Sequence, residues 1–274
     1  VVDNTPDADT RVADLLAELG LPAIRLTRLG ENRGIAIALN IGIDNAIAAG
    51  ATHVLLSDQD SLPETGMVDA LLHALDELTA GGVKVGAIAP TFTDTNSGIT
   101  FPFQVKVPGK FFYGHLRPDN ANPVVEALTL ITSGVLVPVE AFASVGKMRD
   151  DLFIDLVDIE WCHRARAHGW RMFGTGRARM HHAFGTGQWL QVWFFGWRKE
   201  PAYSPLRMYY RFRNFIALCR LPYIGWRWKI RNSWYSGGYV YSHIFFGSTK
   251  LACLRMVVRG LFDGLRGVSG PYRG

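Results

Sequence analysis

Cysteine is scarce in this chain of 274 residues. The three cysteines are Cys162, Cys219 and Cys253, and no two of them form a Cys-x-x-Cys pair. A disulfide framework or a structural zinc site would need an even or closely spaced set, so neither is expected. The scarcity predicts free thiols and a reducing compartment.

Acidic residues are nearly absent from the last part of the chain. The segment from Arg198 to Arg273 contains only Glu200 and Asp263 as acids, whereas acids dominate the first part and the whole chain carries a net charge of +5. Arg, Lys, Trp, Tyr and Phe are concentrated in the same C-terminal segment. This asymmetry predicts an anionic partner for the C-terminal part.

Long hydrophobic runs are missing as well. The apolar stretch 238–258 is interrupted by His243, Lys250 and Arg255, whereas a membrane span needs about 20 apolar residues. Residues 224–231 instead interleave aromatic and basic side chains, a pattern that suits an anionic lipid headgroup layer. Nucleic acid would use the same residue types, and tryptophans that are simply core are a further alternative.

Two other motifs are absent. No Gly-x-Gly-x-x-Gly follows an early strand, so a dinucleotide-dependent oxidoreductase ranks low. The first residues, Val1 to Asn4, lack the basic start and apolar stretch of a signal peptide.

Strand and helix patterns alternate along the first part of the chain. We predict helices over 10–20, 34–49 and 67–80, and strands over 1–3, 22–26, 53–57 and 85–89. Such alternation predicts an α/β fold with a mostly parallel, covered sheet. Ligands bind beyond the carboxyl ends of the strands in such sheets, which is where Asp3 and Asp58 fall.

The middle of the chain has a weaker pattern. Residues 94–122 are rich in Gly, Pro, Thr and Asn and predict an irregular connection with a hairpin around 111–115. Residues 128–137 resemble an apolar strand that is interrupted by Thr132-Ser133-Gly134. These small residues would let a substrate approach the backbone, and a plain buried strand is the alternative.

Asp58 and Asp60 flank one residue directly after the apolar run 53–57. Alternate residues of a strand point the same way, so both carboxylates can converge on one hard cation. Mg²⁺ or Mn²⁺ fits such a pair better than zinc, and magnesium commonly also binds substrate phosphates. The pair therefore indicates a phosphorylated or nucleotide substrate, with a solvated turn as the alternative.

Three acids, Asp155, Asp158 and Glu160, stand among apolar residues at the start of a predicted helix. Capping and the helix dipole explain one of them. Carboxylates beside apolar groups lose hydration and are usually kept for a task such as proton abstraction. We therefore predict a catalytic base here, and the alternatives are capping alone or a metal site made by these acids.

Two adjacent histidines, His181 and His182, are a further candidate. A neutral imidazole can complete the shell of a Mn²⁺ or Mg²⁺ ion held by Asp60. A single histidine is more often structural or solvent-facing, so the residues alone do not choose between the two.

Several short motifs occur in a specific order along nearly the whole chain. They are Val2-Asp3-Asn4, Asn32-Arg33-Gly34-Ile35-Ala36, Asp58-Gln59-Asp60-Ser61, Gly134-Val135-Leu136, Phe153-Ile154-Asp155, Val157-Asp158-Ile159-Glu160-Trp161, Ser204-Pro205-Leu206-Arg207 and Arg213-Asn214. In this order and spacing the chain resembles the inverting GT-A glycosyltransferases of family 2, in particular their bacterial rhamnosyltransferase branch.

The resemblance implies a role for each motif residue. Asp158 would be the base that deprotonates the acceptor hydroxyl, and Asp60 and His182 would hold Mg²⁺ or Mn²⁺. His182 matches the family position better than His181, because His-x-x-Gly is the usual form there. Donor and nucleotide contacts would come from Asp3, Asn32, Gly34, Asp58 and Gln59, and acceptor or diphosphate contacts from Glu160, Trp161, Arg207 and Arg213. For the two arginines, salt bridges on a helix surface are the alternative.

The resemblance also implies the organisation and the activity of the protein. Residues 1–200 would form a GT-A catalytic domain, and residues 201–274 a helical, membrane-proximal extension. A strand and helix normally precede the Val-Asp-Asn strand in this family, so we expect that first unit to be missing from this chain.

The enzyme is expected to transfer L-rhamnose from dTDP-L-rhamnose to a lipid-linked or cell-surface polysaccharide. It would work in the cytoplasm as a peripheral protein on the inner face of the plasma membrane, where an anionic surface and not nucleic acid is its partner. The alternative is a non-catalytic module on the same fold that binds anionic membranes or nucleic acid.

Overall fold

A computed structural model describes residues 1–20, 23–95, 98–111, 113–182, 189–193 and 197–274. The helices are α1 (Arg11–Leu19), α2 (Ile35–Ala48), α3 (Met67–Ala80), α4 (Val139–Val145), α5 (Val157–Ala167), α6 (Pro205–Cys219), α7 (Trp226–Phe245) and α8 (Lys250–Arg266), with one 3₁₀ turn at Asp150–Leu152. The strands are β1 (Val2–Asp3), β2 (Thr27–Arg28), β3 (His53–Leu56), β4 (Ser61–Pro63), β5 (Val85–Asp94), β6 (Phe103–Val105), β7 (Gly114–Leu116), β8 (Val124–Ala127), β9 (Val135–Pro138), β10 (Arg171–His182), β11 (Trp189–Trp193) and β12 (Trp197–Pro201).

The central sheet has six strands in the order β3-β9-β5-β10-β4, with β8 also paired to β10. The predicted α/β class is confirmed, but the expected predominance of parallel pairing is wrong. Among the described residues of this sheet, only β5 and β10 pair in parallel. The reason is that β9 lies between β3 and β5 and pairs antiparallel with both, so two strands of the same direction are not neighbours.

The helices and strands predicted in the first part mostly agree with the structure. Strand 22–26 is wrong, because the chain pairs at Thr27–Arg28 instead, and Pro22 lies outside the described residues. Strand 85–89 continues through Pro90 to Asp94. Pro90 is tolerated because its partner on β10, Thr175, lies at a register shift where the ladder is interrupted.

The middle of the chain folds in short pieces. Of the predicted strand 128–137, only the end is a strand, β9. Residues 128–134 are the connection from β8 to β9. A hairpin is present: β6 pairs antiparallel with β7, and Phe112 in its connection lies outside the described residues.

Helices cover both faces of the sheet. Ala87 and Val135 face a large core shared with α2, α4 and α5, whereas Ile88 and Leu136 face a second core against α3. This division follows from the alternation of side chains along β5 and β9. All three cysteines are free thiols, as expected.

The C-terminal helices pack onto the same body. Phe215, Leu218 and Trp228 belong to the large core, so residues beyond 200 complete it. α6 lies against α8, and glycine is needed there because a Cβ at Gly260 would come within 2.5 Å of the Tyr209 carbonyl oxygen. In the part of the chain that the structure describes, no helix has both the length and the hydropathy to span a bilayer.

Candidate active site

Asp58, Asp60 and His182 form a compact cluster beyond the end of β3. Both aspartates lie in the turn between β3 and β4. Strand β4 pairs with β10 so that Ser61 aligns with His182. The Nδ1 atom of His182 lies 3.3 Å from Oδ1 of Asp60 and 3.1 Å from Oγ of Ser61. The potential ligand atoms of the three cluster residues all lie within 4.8 Å of one another.

This donor set fits a hard divalent cation. Two carboxylates and one imidazole are ligands that Mn²⁺ and Mg²⁺ accept. Among the described residues, no arginine or lysine forms an ion pair with Asp58 or Asp60. His181 is engaged elsewhere, with its Nε2 atom 3.2 Å from Oε1 of Glu64. The structure thus brings His182, and not His181, to the aspartates.

Ser133 orients Asp58. Its hydroxyl donates to Oδ2 of Asp58 at 2.5 Å, and the serine itself is buried in the connection before β9. The next residue, Gly134, has φ of +74° and donates its backbone N–H to the carbonyl of Leu56 at 2.8 Å. The small residues of this connection therefore hold one carboxylate of the cluster in place.

Asp158 lies in the first turn of α5 and lines a small cavity with Leu56 and Thr132, next to the end of β3. Desolvation raises the pKa of Asp158 to about 6, and the negative charges of Asp155 and Asp58 act in the same direction. The backbone N–H of Ile159 opposes this by donating to Oδ1 at 2.8 Å. Asp158 is therefore a carboxylate poised to accept a proton near neutral pH.

The turn before α5 is strained. Phe153, Asp155 and Leu156 each have φ of +64° although none is glycine. A left-handed conformation costs an ordinary residue about 1–2 kcal/mol. Such strain persists only where the surroundings determine the backbone, and it is common at functional sites.

Asn214 on α6 holds this turn. Its Nδ2 atom donates to the carbonyl oxygens of Leu152 at 2.9 Å, Ile154 at 2.7 Å and Asp155 at 2.8 Å. Arg213, the neighbouring residue, donates from Nη2 to Leu152 at 2.8 Å and also bonds to the carbonyl of Gly270. Helix α6 thereby fixes the backbone that leads into Asp158.

A second group of polar residues gathers after β1. Thr5 donates to Oδ1 of the buried Asp3 from its hydroxyl at 2.6 Å, and this bond is the main cause that lowers the pKa of Asp3. Asn32 accepts from the Asn4 amide at 3.3 Å and from the backbone N–H of Gly34 at 3.0 Å. Asp3, Asn32 and Gly34 thus belong to one loop cluster.

Gly34 connects this loop cluster to the strained turn. Its φ is +88°, and a Cβ there would lie 2.6 Å from the ring of Phe153. The backbone N–H of Ile35 donates to the carbonyl of Phe153 at 2.8 Å. A backbone hydrogen bond therefore joins the loop cluster predicted to bind the nucleotide to the turn that leads to Asp158, the predicted catalytic base.

Comparison with known proteins agrees with these features. The sequence profile of the family described as Glycosyl transferase family 2 matches residues 1–120. The dTDP-rhamnosyl transferase RfbF of Shigella flexneri is 31% identical over 274 residues, which cover 100% of this chain and 88% of that protein. This chain belongs to the family 2 glycosyltransferases. It is thus an enzyme, and the rhamnosyltransferase branch predicted from the motifs is confirmed.

Solved structures of low identity show the fold of this glycosyltransferase. The structure of GalNAc-T7 with UDP, GalNAc and Mn²⁺ aligns with a TM-score of 0.57 at 11% identity, over 97% of this chain and 49% of that chain. S. aureus TarS 1-349 with UDP-GlcNAc aligns with a TM-score of 0.50 at 12% identity, over 98% of this chain and 71% of that chain. The fold is GT-A-like, and the chain spans about half the length of the GalNAc-T7 chain.

Arg207 lies beside the predicted base of the glycosyltransferase but already has a partner. Its Nε atom lies 3.2 Å and 3.3 Å from the two carboxylate oxygens of Asp155, and its guanidinium lies over the ring of Tyr203. Salt bridging, the alternative given for this arginine, is what the structure contains. Because Arg207 stays partly exposed, a diphosphate contact remains a prediction.

Three other predicted contact residues are buried and have their polar groups bonded inside the protein. Glu160 is fully buried and accepts from Arg164 at 3.0 Å and from the hydroxyl of Tyr223. Trp161 is buried and donates to the carbonyl of Gly146 at 2.8 Å. Arg213 is buried with its guanidinium on backbone carbonyls. Their positions do not support contact with acceptor or diphosphate, since each polar group is used inside the protein.

Gln59 is exposed between the two aspartates of the cluster. Ser133 and Asn214 bond to the candidate site, and the sequence analysis predicts neither contact. The small residues around Ser133 predicted close approach of a substrate to the backbone, but not a hydrogen bond to Asp58. For Asn214 the only signal was its place in the Arg213-Asn214 motif, because its partners lie 59 to 62 residues away.

Proposed function

We propose that this glycosyltransferase moves L-rhamnose from dTDP-L-rhamnose to a hydroxyl group of a lipid-linked or cell-surface glycan, with inversion at the anomeric carbon. The observation that carries the proposal is the juxtaposition of Asp158, whose pKa is raised to about 6, with the cluster of Asp58, Asp60 and His182. The identity with RfbF supports the donor.

The reaction is a single displacement. Asp158 accepts the proton of the acceptor hydroxyl, the acceptor oxygen bonds to the anomeric carbon, and the bond from that carbon to the diphosphate oxygen breaks with departure of dTDP. Asp60 and His182, together with Asp58, would hold Mg²⁺ or Mn²⁺. When bound there, the cation neutralises charge on the diphosphate. The solved relative with UDP and Mn²⁺ supports a divalent ion.

The nucleoside diphosphate would lie along the loop cluster of Asp3, Asn32 and Gly34. Asp3 is held ionised by Thr5 and Arg28. Both of its carboxylate oxygens are bonded and its side chain is 1% exposed, so it would act by positioning Thr5 and Arg28 beside the base or ribose. Gly34 lets the Phe153 ring and backbone pack directly against the loop, which joins the loop cluster to the turn before Asp158. These roles are supported by the position of the residues next to the turn that leads to Asp158.

The location we propose is the inner face of the plasma membrane, where a lipid-linked acceptor is accessible. The segment 224–231, predicted to bind anionic lipid, divides into two sides. Ile224 and Trp228 are buried in the core, so core packing explains that part of the pattern, whereas Trp226 and Ile230 are exposed. Arg227 lies near the exposed Trp226 ring and provides a cation for a headgroup phosphate.

Calorimetric titration with dTDP, UDP and GDP, each with and without Mn²⁺, tests the proposal. We expect Mn²⁺-dependent binding with dTDP preferred. Preference for UDP would keep the transferase but change the sugar, and binding of none of the three would contradict the proposal.

His182→Ala and His181→Ala form a matched pair for the metal site. We expect His182→Ala to weaken Mn²⁺-dependent dTDP binding at least about tenfold, because even outer-shell changes cost metal sites about 10–100-fold. His181→Ala should leave it unchanged, since that side chain pairs with Glu64. Equal effects of the two substitutions would remove His182 from the proposed ligand set.

A further inference from the structure

One face of α8 presents large apolar side chains to solvent. Leu251, Leu254, Val258, Phe262 and Leu265 are 83%, 40%, 58%, 53% and 62% exposed. Their spacing of three or four residues keeps all five on one stripe of the helix, at about 100° per residue. A contiguous apolar surface of this kind marks contact with a protein or a membrane.

The stripe is separate from the side of α8 that packs inward. Cys253 and Val257 are buried in a core with Met208 and Phe212 of α6. Gly260 lies so close to α6 that a Cβ would meet the backbone. The exposed stripe is therefore a second apolar face of α8. The first face, with Cys253 and Val257, is already covered by α6.

Basic residues border the stripe. Arg255, Arg259 and Arg266 follow one edge of it on the helical wheel, and Lys250 lies at the start of the helix. The acid of α8, Asp263, is buried and accepts from the Tyr209 hydroxyl and from Arg259. Residues 201–274 contain 12 lysines and arginines and this one acid. An apolar stripe edged by cations is complementary to an anionic lipid surface.

A second copy of the chain fits this face less well. If two α8 helices packed stripe to stripe in an antiparallel pair, their rows of arginine would meet with no exposed acid on either helix to pair with. Like charges across an interface are unfavourable, whereas lipid phosphates would neutralise the same row.

We propose that α8 lies flat in the headgroup layer of an anionic bilayer, with the stripe from Leu251 to Leu265 at the acyl boundary. The inference rests on the membrane location included in the proposed function and identifies the surface responsible. Because α8 packs on α6, and α6 holds the turn before Asp158, this contact would orient the active site relative to the bilayer.

The test is sedimentation of the full chain with vesicles of phosphatidylcholine plus phosphatidylglycerol, and with vesicles of phosphatidylcholine alone. The variant is Val258→Ser with Phe262→Ser. Its matched control is Leu15→Ser with Leu19→Ser on α1, where both side chains are 53% exposed at the same spacing but have acidic neighbours. Calorimetric binding of dTDP checks that the variants are folded.

We expect the wild type to bind the anionic vesicles, and the α8 variant to bind at least about tenfold more weakly, because it loses two inserted apolar groups. The α1 control should bind like the wild type. A second variant, Arg255→Glu with Arg266→Glu, reverses two exposed charges at the edge of the stripe and should lose binding to the anionic vesicles.

Three results would overturn the inference. If the wild type and both α8 variants bind the vesicles equally, the membrane location is kept but α8 is not the surface that contacts the membrane. No vesicle binding by the wild type would remove the membrane location as well, while dTDP binding would still decide the glycosyl transfer. A wild-type dimer that the α8 variant converts to a monomer would show that a second copy covers the stripe.

Discussion

Replacing Asn214 with alanine tests whether α6 holds the turn that carries Asp158. The Asn214 amide donates to the carbonyl oxygens of Leu152, Ile154 and Asp155 at 2.7–2.9 Å. In the variant, Leu152 keeps the Arg213 guanidinium, whose Nε and Nη2 atoms lose the Asn214 Oδ1 acceptor. The carbonyl groups of Ile154 and Asp155 lose their side-chain donor.

The size of the effect follows from these contacts. A buried group left without its partner costs about 1–3 kcal/mol, so two such carbonyls cost about 2–6 kcal/mol if the turn keeps its shape. The turn also contains three non-glycine residues at φ of +64°, each strained by about 1–2 kcal/mol. Relaxation of the turn is therefore the easier response, and it would displace Asp158.

The assay compares kcat, donor KM and thermal unfolding for Asn214→Ala and a control, Asn232→Ala. The control also removes one asparagine amide, which donates to a single carbonyl on α7 at 3.2 Å, far from the turn in sequence. We expect kcat of Asn214→Ala to fall at least about tenfold, which corresponds to about 1.4 kcal/mol of transition-state free energy, with a smaller change in KM.

The pH profile separates positioning from general destabilisation. If the turn relaxes and Asp158 gains solvent, its pKa falls from about 6 towards its ordinary value, and the acid limb of kcat moves to lower pH. The reasoning is refuted if Asn214→Ala matches Asn232→Ala in kcat, in melting temperature and in the position of that limb.

Two further predictions concern the base and the nucleotide loop. Asp158 must be ionised to act as base, and its pKa is raised to about 6. We therefore expect kcat/KM to rise with pH and to be about one tenth of its plateau at pH 5. Asp158→Asn should abolish transfer and keep donor binding, and a flat profile from pH 5 to 8 or a retained turnover would contradict the assignment. Gly34→Ala should weaken dTDP binding and stability more than Gly50→Ala. Both glycines have positive φ (+88° and +83°), but of the two only Gly34 has a neighbour that a Cβ would meet. Calorimetry and thermal unfolding of the two variants measure this, and equal losses would show that backbone conformation alone matters.

Local pattern predicted much of the fold. The helices at 10–20, 34–49 and 67–80 and the strand at 53–57 were within one residue of the observed bounds at each end, because the periodicity of apolar residues is a property of neighbours in sequence. The expectation of a mostly parallel sheet failed, since the pattern of a strand does not contain the direction of its partner. The position of β9 between β3 and β5 results from long-range pairing.

The candidate site shows the same division. Asp58, Asp60, Asp158 and the histidine pair were recognised from residue type and spacing. The family resemblance already favoured His182 over His181. The sequence does not show the register of β10 against β4 that brings His182 to the aspartates. The burial of Glu160 could not be predicted either, because its partner Tyr223 is 63 residues away.

The sequence by itself determined the chemistry available to this protein: a pair of strand-end carboxylates, an acid at a helix start, a glycine where the backbone must turn, and a basic, aromatic C-terminal part. These are properties of residue type and near spacing. Only the tertiary structure decided which groups are exposed to solvent, which lie near other charges and which contact one another. It raised the pKa of Asp158 by burial beside other carboxylates, placed Arg213 inside the protein, and left one apolar stripe of α8 exposed, because these outcomes depend on packing between segments that are distant in the chain.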